Sequence, residues 1–355
     1  MTRTAHRIGL AAALVVALAA CAAAGTTAAY AENGTATVTS SISLSISGGT
    51  AITVGDQASL FGFVTFSDSS SANGLTVHVT RTNPDGTQTV VGDVTTTSDQ
   101  GGFSFVDTPP AHGHYTYTAT FDGDALRSGS TTTSDVLTVH RIATALGLRS
   151  STAKSGYRRP VTLTAHLAKH GADAVVAFYR TPADGTRTLI RSAAVGADGN
   201  AAITIRPRKN ATFDAVYAGD DVYGAAASPK ITVAVRVRIA GTLSGFYGKS
   251  GAYRLYHYSS SCATRGVGCP PFTVSVAPGH AGDRVRLTLA FHSRSGWVVV
   301  GHVQVKLNRH SRKRVVLGYR DRSIIGQQFR LQAHFAADRA NAGNTTAWSY
   351  LRVTA

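Results

Sequence analysis

The strongest constraint on this chain is an eight-residue segment that occurs three times. Residues 117–124 read YTATFDGD, residues 213–220 read FDAVYAGD, and residues 331–338 read LQAHFAAD. Each copy sets apolar or aromatic residues at alternate positions, which is the period of a half-buried strand, and ends in Gly-Asp or Ala-Asp, which favours a turn. The chain is therefore predicted to contain three copies of one strand–turn–strand unit.

The spacing after the turn recurs as well. At thirteen and fifteen residues past the last Asp of each copy stand two apolar residues, which predict a second half-buried strand: Leu137 and Val139, Val233 and Val235, and Leu351 and Val353. Because both strands and their separation recur, we expect a whole domain to be repeated. The predicted domains cover residues 35–141, 142–238 and 239–355, after a signal peptide at residues 1–31.

The first two repeats also share their turns. Each has an Asp-Gly turn between two short alternating runs, at residues 83–87 and 182–186, and a second turn at residues 99–102 and 198–200. Together with a Gly-x-x-x-x-Leu motif at Gly55 and Leu60, these features resemble bacterial Ig-like (Big-type) domains over residues 35–238. The resemblance implies immunoglobulin-like sandwiches for these two repeats, and the third copy of the segment extends the prediction to an all-β fold of three tandem immunoglobulin-like sandwiches, the third divergent. It implies spacer or adhesive modules without catalytic or cofactor-binding residues.

The third repeat departs from this pattern. Residues 282–287 are predicted to align with residues 55–60, and Ala337 replaces the Gly of the turn. A longer incoming segment carries Cys262 and Cys269, which are predicted to form a disulfide because the chain is expected to be exported. A metal site is the alternative reading, but the segment has no further ligands at a suitable spacing.

The first 31 residues have the composition of a secretory signal. Basic residues precede an apolar run at residues 8–20, and Ala29-Tyr30-Ala31 fits a cleavage site that would leave Glu32 first. Residues 18–21 (LAAC) also resemble a lipobox, in which Cys21 would be lipidated. The protein is predicted to be secreted and associated with the cell surface, or else lipid-anchored to the outer face of the membrane. Arg outnumbers Lys 28 to 7, which favours a high-GC bacterium such as an actinomycete.

Charge is distributed unevenly along the chain. The net charge is −8 over residues 32–140, +9 over residues 141–238 and +13 over residues 239–355. The basic end predicts anionic partners, although biased codon usage on a soluble surface is the alternative. Arg309, Arg312, Lys313 and Arg314 are predicted to form an exposed hairpin tip that binds anionic cell-wall polymers or glycans, with a solvated turn as the alternative. No motif indicates specific nucleic-acid binding, and membrane contact is expected only if Cys21 is lipidated.

An aromatic-rich stretch provides a second candidate site. Tyr253, Tyr256 and Tyr258 are predicted either to stack on sugar rings or to be ordinary strand and core residues. Paired aspartates in the first two repeated turns are predicted to cap those turns rather than to bind calcium. The chain lacks His-Glu-x-x-His and Gly-x-Ser-x-Gly, and no enzymatic activity, cofactor or metal is predicted. The predicted function is a structural or adhesive one, with carbohydrate recognition by the third repeat as the alternative.

Overall fold

The computed structural model describes residues 38–183, 185–265 and 267–355, and its regular structure is almost entirely β-strand. The predicted signal segment, Cys21, and residue 184 of the second hairpin turn lie outside these residues. The strands form three two-sheet sandwiches, each with its own hydrophobic core. The prediction of three tandem immunoglobulin-like sandwiches is therefore confirmed.

The first sandwich packs a three-stranded sheet against a larger one. The strand order is β1–β3–β6 in the smaller sheet and β2–β9–β7–β4–β5 in the larger, where β8 also pairs with β7. The β2–β9 pair is parallel and the others are antiparallel. The strands are β1 (Ser40–Ser47), β2 (Ala51–Thr53), β3 (Ala58–Phe66), β4 (Thr76–Thr82), β5 (Gln88–Thr95), β6 (Gly102–Asp107), β7 (Gly113–Phe121), β8 (Ser130–Thr133) and β9 (Leu137–His140).

The second sandwich repeats this topology strand for strand. Its sheets have the orders β10–β12–β15 and β11–β18–β16–β13–β14, with β17 beside β16 and a parallel β11–β18 pair. The strands are β10 (Leu146–Ser150), β11 (Lys154–Gly156), β12 (Val161–Leu167), β13 (Val175–Pro182), β14 (Thr188–Ala194), β15 (Asn200–Ile205), β16 (Ala211–Tyr217), β17 (Ala226–Ala227) and β18 (Ile231–Arg236).

The third sandwich keeps the nine equivalent strands and adds β20, the helix α1 and the 3-10 helix η1. Its sheets have the orders β19–β22–β25 and β20–β21–β28–β26–β23–β24, with β27 beside β26. The elements are β19 (Arg238–Leu243), β20 (Gly248–Ser250), β21 (Tyr253–His257), α1 (Ser260–Arg265), β22 (Pro271–Ala277), β23 (Arg284–Ser293), β24 (Gly296–Lys306), β25 (Arg312–Val316), η1 (Arg322–Ile324), β26 (Gln328–Phe335), β27 (Asn344–Thr345) and β28 (Ser349–Thr354).

One predicted alignment of the third repeat is wrong. Residues 282–287 lead into β23, which pairs with β24 and β26 and so occupies the place of β4, not that of β3. The place of β3 is taken by β22, between β19 and β25. A Gly-Asp turn followed by alternating residues precedes either strand equally well, so the pattern fixed a strand but not its position in the sandwich.

The repeated segment is the central strand of each larger sheet, as β7, β16 and β26. Its alternate residues point into the core, and the second predicted strand lies beside it as β9, β18 and β28. Tyr115, two residues before the segment, is fully buried, and its hydroxyl donates to the carbonyl of Ala111 at 2.8 Å. This is the tyrosine corner expected near the start of such a strand in immunoglobulin-like sandwiches.

The repeated turn after this strand holds the chain that enters the same sandwich. The amide of its last Asp donates to the carbonyl three residues on, at 3.0 Å in the first repeat and 2.9 Å in the other two. The incoming chain then forms a parallel bridge with the turn, as Val38 with Arg127, Ile142 with Tyr223, and Arg236 with Ala342. The segment that identifies the repeat in the sequence therefore also ends in the turn that binds the chain entering that repeat.

The junction between the first two repeats is built on this turn. Ile142 donates its amide to the carbonyl of Val222 at 2.8 Å, and the amide of Gly224 donates to the carbonyl of Ile142 at 2.9 Å. The amide of His112, which precedes β7, donates to the carbonyl of Asp221 at 3.2 Å. Val222 and Ile142 pack against the first core, so the turn of the second repeat closes the end of the first sandwich.

The junction between the second and third repeats is built in a similar way. Val237 donates its amide to the carbonyl of Ala342 at 3.0 Å, and Asn210, which precedes β16, donates to the carbonyl of Ala340 at 2.7 Å. Asn341 is fully buried here and its side-chain amide donates to the carbonyls of Arg208 and Val235, at 2.9 and 3.0 Å. These bonds join the third repeat to both the body and the last strand of the second.

Candidate functional site

The four cations predicted to form a basic tip are divided between a turn and an edge strand. Arg312, Lys313 and Arg314 begin β25, whose only partner among the described strands is β22, and Arg309 lies in the preceding turn. Since β24 and β25 belong to different sheets, the segment crosses from one sheet to the other and the predicted hairpin is wrong. A short basic run between two alternating segments has the same appearance in a hairpin and in a crossover.

The pairing register shows which cations share a face. Arg312 lies opposite Ser275 and Arg314 opposite Thr273, whereas Lys313 lies opposite the buried Val274. Successive side chains of a strand point to opposite faces, so the two arginines lie on the outer face of the sheet and Lys313 on the other. Arg238 of β19 joins the same outer face, and we call Arg238, Arg312 and Arg314 the basic face.

Nothing in the described part of the third repeat neutralises the basic face. Its arginines are exposed and form no ion pair with a described carboxylate. Only three acidic residues lie in residues 239–355, against sixteen basic ones. Asp283 and Asp338 both lie beside His280, and Asp321 accepts a bond from the Ser323 amide at the start of η1. The positive field of this face is therefore available to an external anion.

The three candidate tyrosines do not form one surface. Tyr256 is 4% exposed in the core, and its hydroxyl donates to the carbonyl of Ser244 at 2.9 Å, so its prediction as a sugar-stacking residue is wrong. Tyr253 lies on the opposite face of β21, with its hydroxyl 2.7 Å from Oε1 of Gln328. Tyr258 lies beyond the end of β21 and packs against the third core and Tyr319.

Burial gives Tyr256 a perturbed acidity. Desolvation raises the pKa of Tyr256 to about 12, because the phenolate would lie in the apolar core, and Arg254 offsets this effect only in part. The residue is accordingly a neutral hydrogen-bond donor at physiological pH, with a structural role.

Cys262 and Cys269 are joined by a disulfide, with their Cα atoms 4.9 Å apart. The bridge spans α1 and the turn after it, within the long connection from β21 to β22. The same connection is held to the body of the sandwich by the Ser259 amide, which donates to the hydroxyl of Tyr319 at 2.8 Å. The disulfide therefore fixes a local loop, as predicted from the seven-residue separation.

A second aromatic cluster was missed in the sequence. Trp297, Trp348 and Tyr350 gather around Arg330 on the outer face of the larger sheet, next to Tyr253. The two tryptophans are the only ones in the chain, which is the signal that could have drawn attention to them. They are 51 residues apart in the sequence, so that only the pairing of β24, β23, β26 and β28 brings them together.

One group of side chains has the composition of a metal site. Nδ1 of His280 lies 3.0 Å from Oδ2 of Asp283 and 3.3 Å from Oδ2 of Asp338, and the three donor atoms lie within 4.8 Å of one another. The attraction between the imidazole of His280 and the two carboxylates is enough to explain why these three atoms lie close together. His280 also packs on Phe335, which places the group beside the repeated turn as a link between that turn and β23.

The aspartates of the first two repeated turns act on the backbone. Oδ1 of Asp124 accepts bonds from the amides of Leu126 and Arg127, both at 2.9 Å. Oδ1 of Asp220 accepts from Val222 and Tyr223 at 2.8 and 2.7 Å. These are the capping bonds predicted for Asp in such turns.

The fold and these surfaces define the class of the protein as a tandem repeat of immunoglobulin-like β-sandwiches. No protein-family model matches the chain, and no curated protein matches its sequence. Within the described residues, no helix is long and apolar enough to cross a membrane.

Several solved structures resemble parts of this chain at low sequence identity. A tetra-tandem repeat from the extending region of a large adhesion protein is 18% identical, with a TM-score of 0.44, and the match covers 88% of this chain and 74% of that one. The adhesin InvE of Yersinia pseudotuberculosis is 15% identical, with a TM-score of 0.31 and coverage of 55% and 59%. The D0–D1 domains of intimin are 11% identical, with a TM-score of 0.24 and coverage of 54% and 96%. At these identities and scores the likeness concerns the sandwich repeat alone.

Proposed function

We propose that the protein is an exported, non-catalytic repeat protein with a structural or adhesive role at the bacterial surface. In this proposal the first two sandwiches hold the third away from the point of attachment, and the third contacts anionic polymers of the cell wall or of another surface. The observation that carries the proposal is the basic face, where Arg238, Arg312 and Arg314 lie exposed without a described carboxylate partner.

The chemistry of the face fits a polymer with repeated anionic groups. Guanidinium groups pair with phosphate, sulfate or carboxylate through two parallel hydrogen bonds, and neighbouring arginines on a flat sheet can each contact a different unit. The net charge of +13 over residues 239–355 adds a long-range attraction, while the −8 of residues 32–140 keeps the first repeat from the same polymer.

The proposal is tested by retention of the chain from residue 32 onward on isolated cell walls. We expect Arg312→Glu/Arg314→Glu to lower retention at least tenfold, because each substitution replaces attraction by repulsion. The matched control is Arg149→Glu/Arg191→Glu, which makes the same change of charge at two exposed positions of the second repeat.

Salt provides an independent test on the unmodified chain. At about 0.5 M salt the Debye length is shorter than about 5 Å, so retention through the basic face should be lost. Retention that is the same for the Arg312→Glu/Arg314→Glu variant and for the control, or that persists at high salt, would contradict the proposal.

A further inference from the structure

The outer face of the larger sheet in the third repeat carries a second surface with its own chemistry. Trp297 of β24, Arg330 of β26 and Tyr350 of β28 lie on this face, with Trp348 just before β28 and Tyr253 across from Tyr350 on β21. We call these five residues the tryptophan face. It lies on the opposite side of the sandwich from the basic face, which belongs to the smaller sheet.

Arg330 lies between the two indole rings. Its Cζ is 4.4 Å from the ring centre of Trp297 and 4.2 Å from that of Trp348. The ring of Tyr350 lies 5.7 Å from that of Trp297 and 5.6 Å from that of Tyr253, which extends the aromatic surface across three strands. Stacking on aromatic rings holds a guanidinium in place and leaves its N–H groups to donate in its own plane.

The donors of this guanidinium lack acceptors. Nε of Arg330 is buried without a hydrogen-bond partner, and no described carboxylate pairs with the side chain. A buried donor is normally paired, because leaving it unpaired costs the free energy of its desolvation. All three acidic residues of the repeat lie elsewhere, so no carboxylate of the described repeat neutralises the charge of this guanidinium.

A cavity of about 370 Å³ lies at the edge of this face, beside Trp348 and Tyr350 and not against Arg330. It is lined by Trp348 and Tyr350, by Arg254, and by Thr242 of β19. This volume lies within the range of small-ligand pockets, and its lining combines ring surfaces with a second cation and a hydroxyl. Aromatic faces carry negative potential and favour the C–H faces of a pyranose ring, while the arginines favour its acidic group.

We propose that the tryptophan face binds a carboxylated saccharide, with the sugar ring against the aromatic side chains and the carboxylate on Arg330. A planar carboxylate matches the in-plane donors that remain to a guanidinium stacked on both sides. This site goes beyond the proposed role of the basic face, since the two lie on different sheets and use different residues.

The two tryptophans of the chain make the site directly observable. We expect digalacturonate, titrated into the chain from residue 32 onward at physiological salt, to change the tryptophan fluorescence with saturation at millimolar concentrations (Kd of about 1 mM or lower). The methyl ester of the same disaccharide, which has the sugar rings but not the charge, should bind at least tenfold more weakly. This comparison uses the unmodified protein and does not depend on the folding of any variant.

Substitutions then assign the binding to this face. Arg330→Gln should weaken digalacturonate binding at least tenfold, whereas Arg284→Gln, at an exposed arginine of β23 six residues from the position opposite Arg330, should change it less than twofold. Arg312→Glu/Arg314→Glu should leave digalacturonate binding unchanged. A result against this site can therefore be told apart from a result against the proposed role of the basic face. Equal binding of acid and ester, binding by Arg330→Gln equal to that of the unmodified chain, or no fluorescence change would each overturn the proposal.

Discussion

At the residue scale, the same residue type has opposite roles within a few positions. Tyr256 and Tyr253 are three residues apart on β21, yet one is a core donor and the other lies on the outer face beside Gln328. Successive side chains of a strand point to opposite faces. Which set of them faces the core depends on which residues of the neighbouring strands are buried. Local sequence therefore identifies tyrosines on a strand but not the face that each one joins.

The buried phenol of Tyr256 predicts a specific pH dependence. Its pKa of about 12 in the folded protein lies above the ordinary value of 10.0, so its stabilising effect is complete below about pH 10 and declines as the pH rises to about 12. We expect Tyr256→Phe to lower the free energy of unfolding at pH 8 by about 1 kcal/mol, through loss of the bond to Ser244. The difference from the unmodified protein should shrink between pH 10 and 12 in denaturant titrations.

Tyr247→Phe is the matched control, because Tyr247 is 53% exposed on the same sandwich. At pH 8 it should change the free energy of unfolding by less than about 0.5 kcal/mol, as is usual for an exposed side chain. A constant difference for Tyr256→Phe up to pH 12 would show that the phenol is not desolvated in the folded protein.

At the scale of elements, the turns and most strands of the first two repeats could be predicted because local chemistry specifies them. The Asp-Gly turn of residues 83–87 forms the β4–β5 hairpin, with Gly86 at a φ of +81°, where Gly is favoured. The third repeat was predicted less well, since its insertion of β20 and α1 displaced the alignment by one strand. The partner of β25 could not be predicted either, because pairing between distant segments leaves no local pattern.

The disulfide loop of the third repeat predicts a local stabilisation. Replacing both cysteines, as Cys262→Ser/Cys269→Ser, should lower the stability of this sandwich by about 2–3 kcal/mol, the loop-entropy value for so short a loop. Calorimetry of the full chain should show an earlier transition for the third repeat only. A variant with all transitions unchanged would show that the bridge does not constrain the unfolded chain.

At the scale of the whole molecule, one turn serves two purposes. It ends the central strand of each repeat, and it binds the chain that arrives from the previous repeat through a pair of backbone bonds, made by Ile142 at the first junction and by Ala342 at the second. In the third copy Ala337 replaces Gly and adopts no positive φ, yet the bond from the amide of Asp338 to the carbonyl of Asn341 is kept at 2.9 Å. The repeated turn could be predicted from the sequence, but not its role in the junction, because its partner is a distant segment of the chain.

The net charge also differs from one repeat to the next. The second repeat separates the acidic first repeat from the basic third repeat in the chain, so the proposed anionic polymer would be attracted to the third and repelled by the first. The basic residues of the third repeat could be predicted from the sequence, but only the pairing of strands showed which of them share a face and brought the two tryptophans together.

Hydrogen–deuterium exchange at the junctions tests most directly whether one module with one kind of junction is repeated along the chain. The amides of Ile142, Gly224, Val237 and Ala342 each donate a bond that ties the chain at a junction to the repeated turn, at 2.8 to 3.0 Å. We predict that NMR will find them protected to a degree similar to the amides at the ends of the neighbouring strands, with similar values at the two junctions. Exchange at the rate of an unstructured linker, at either junction, would contradict this account.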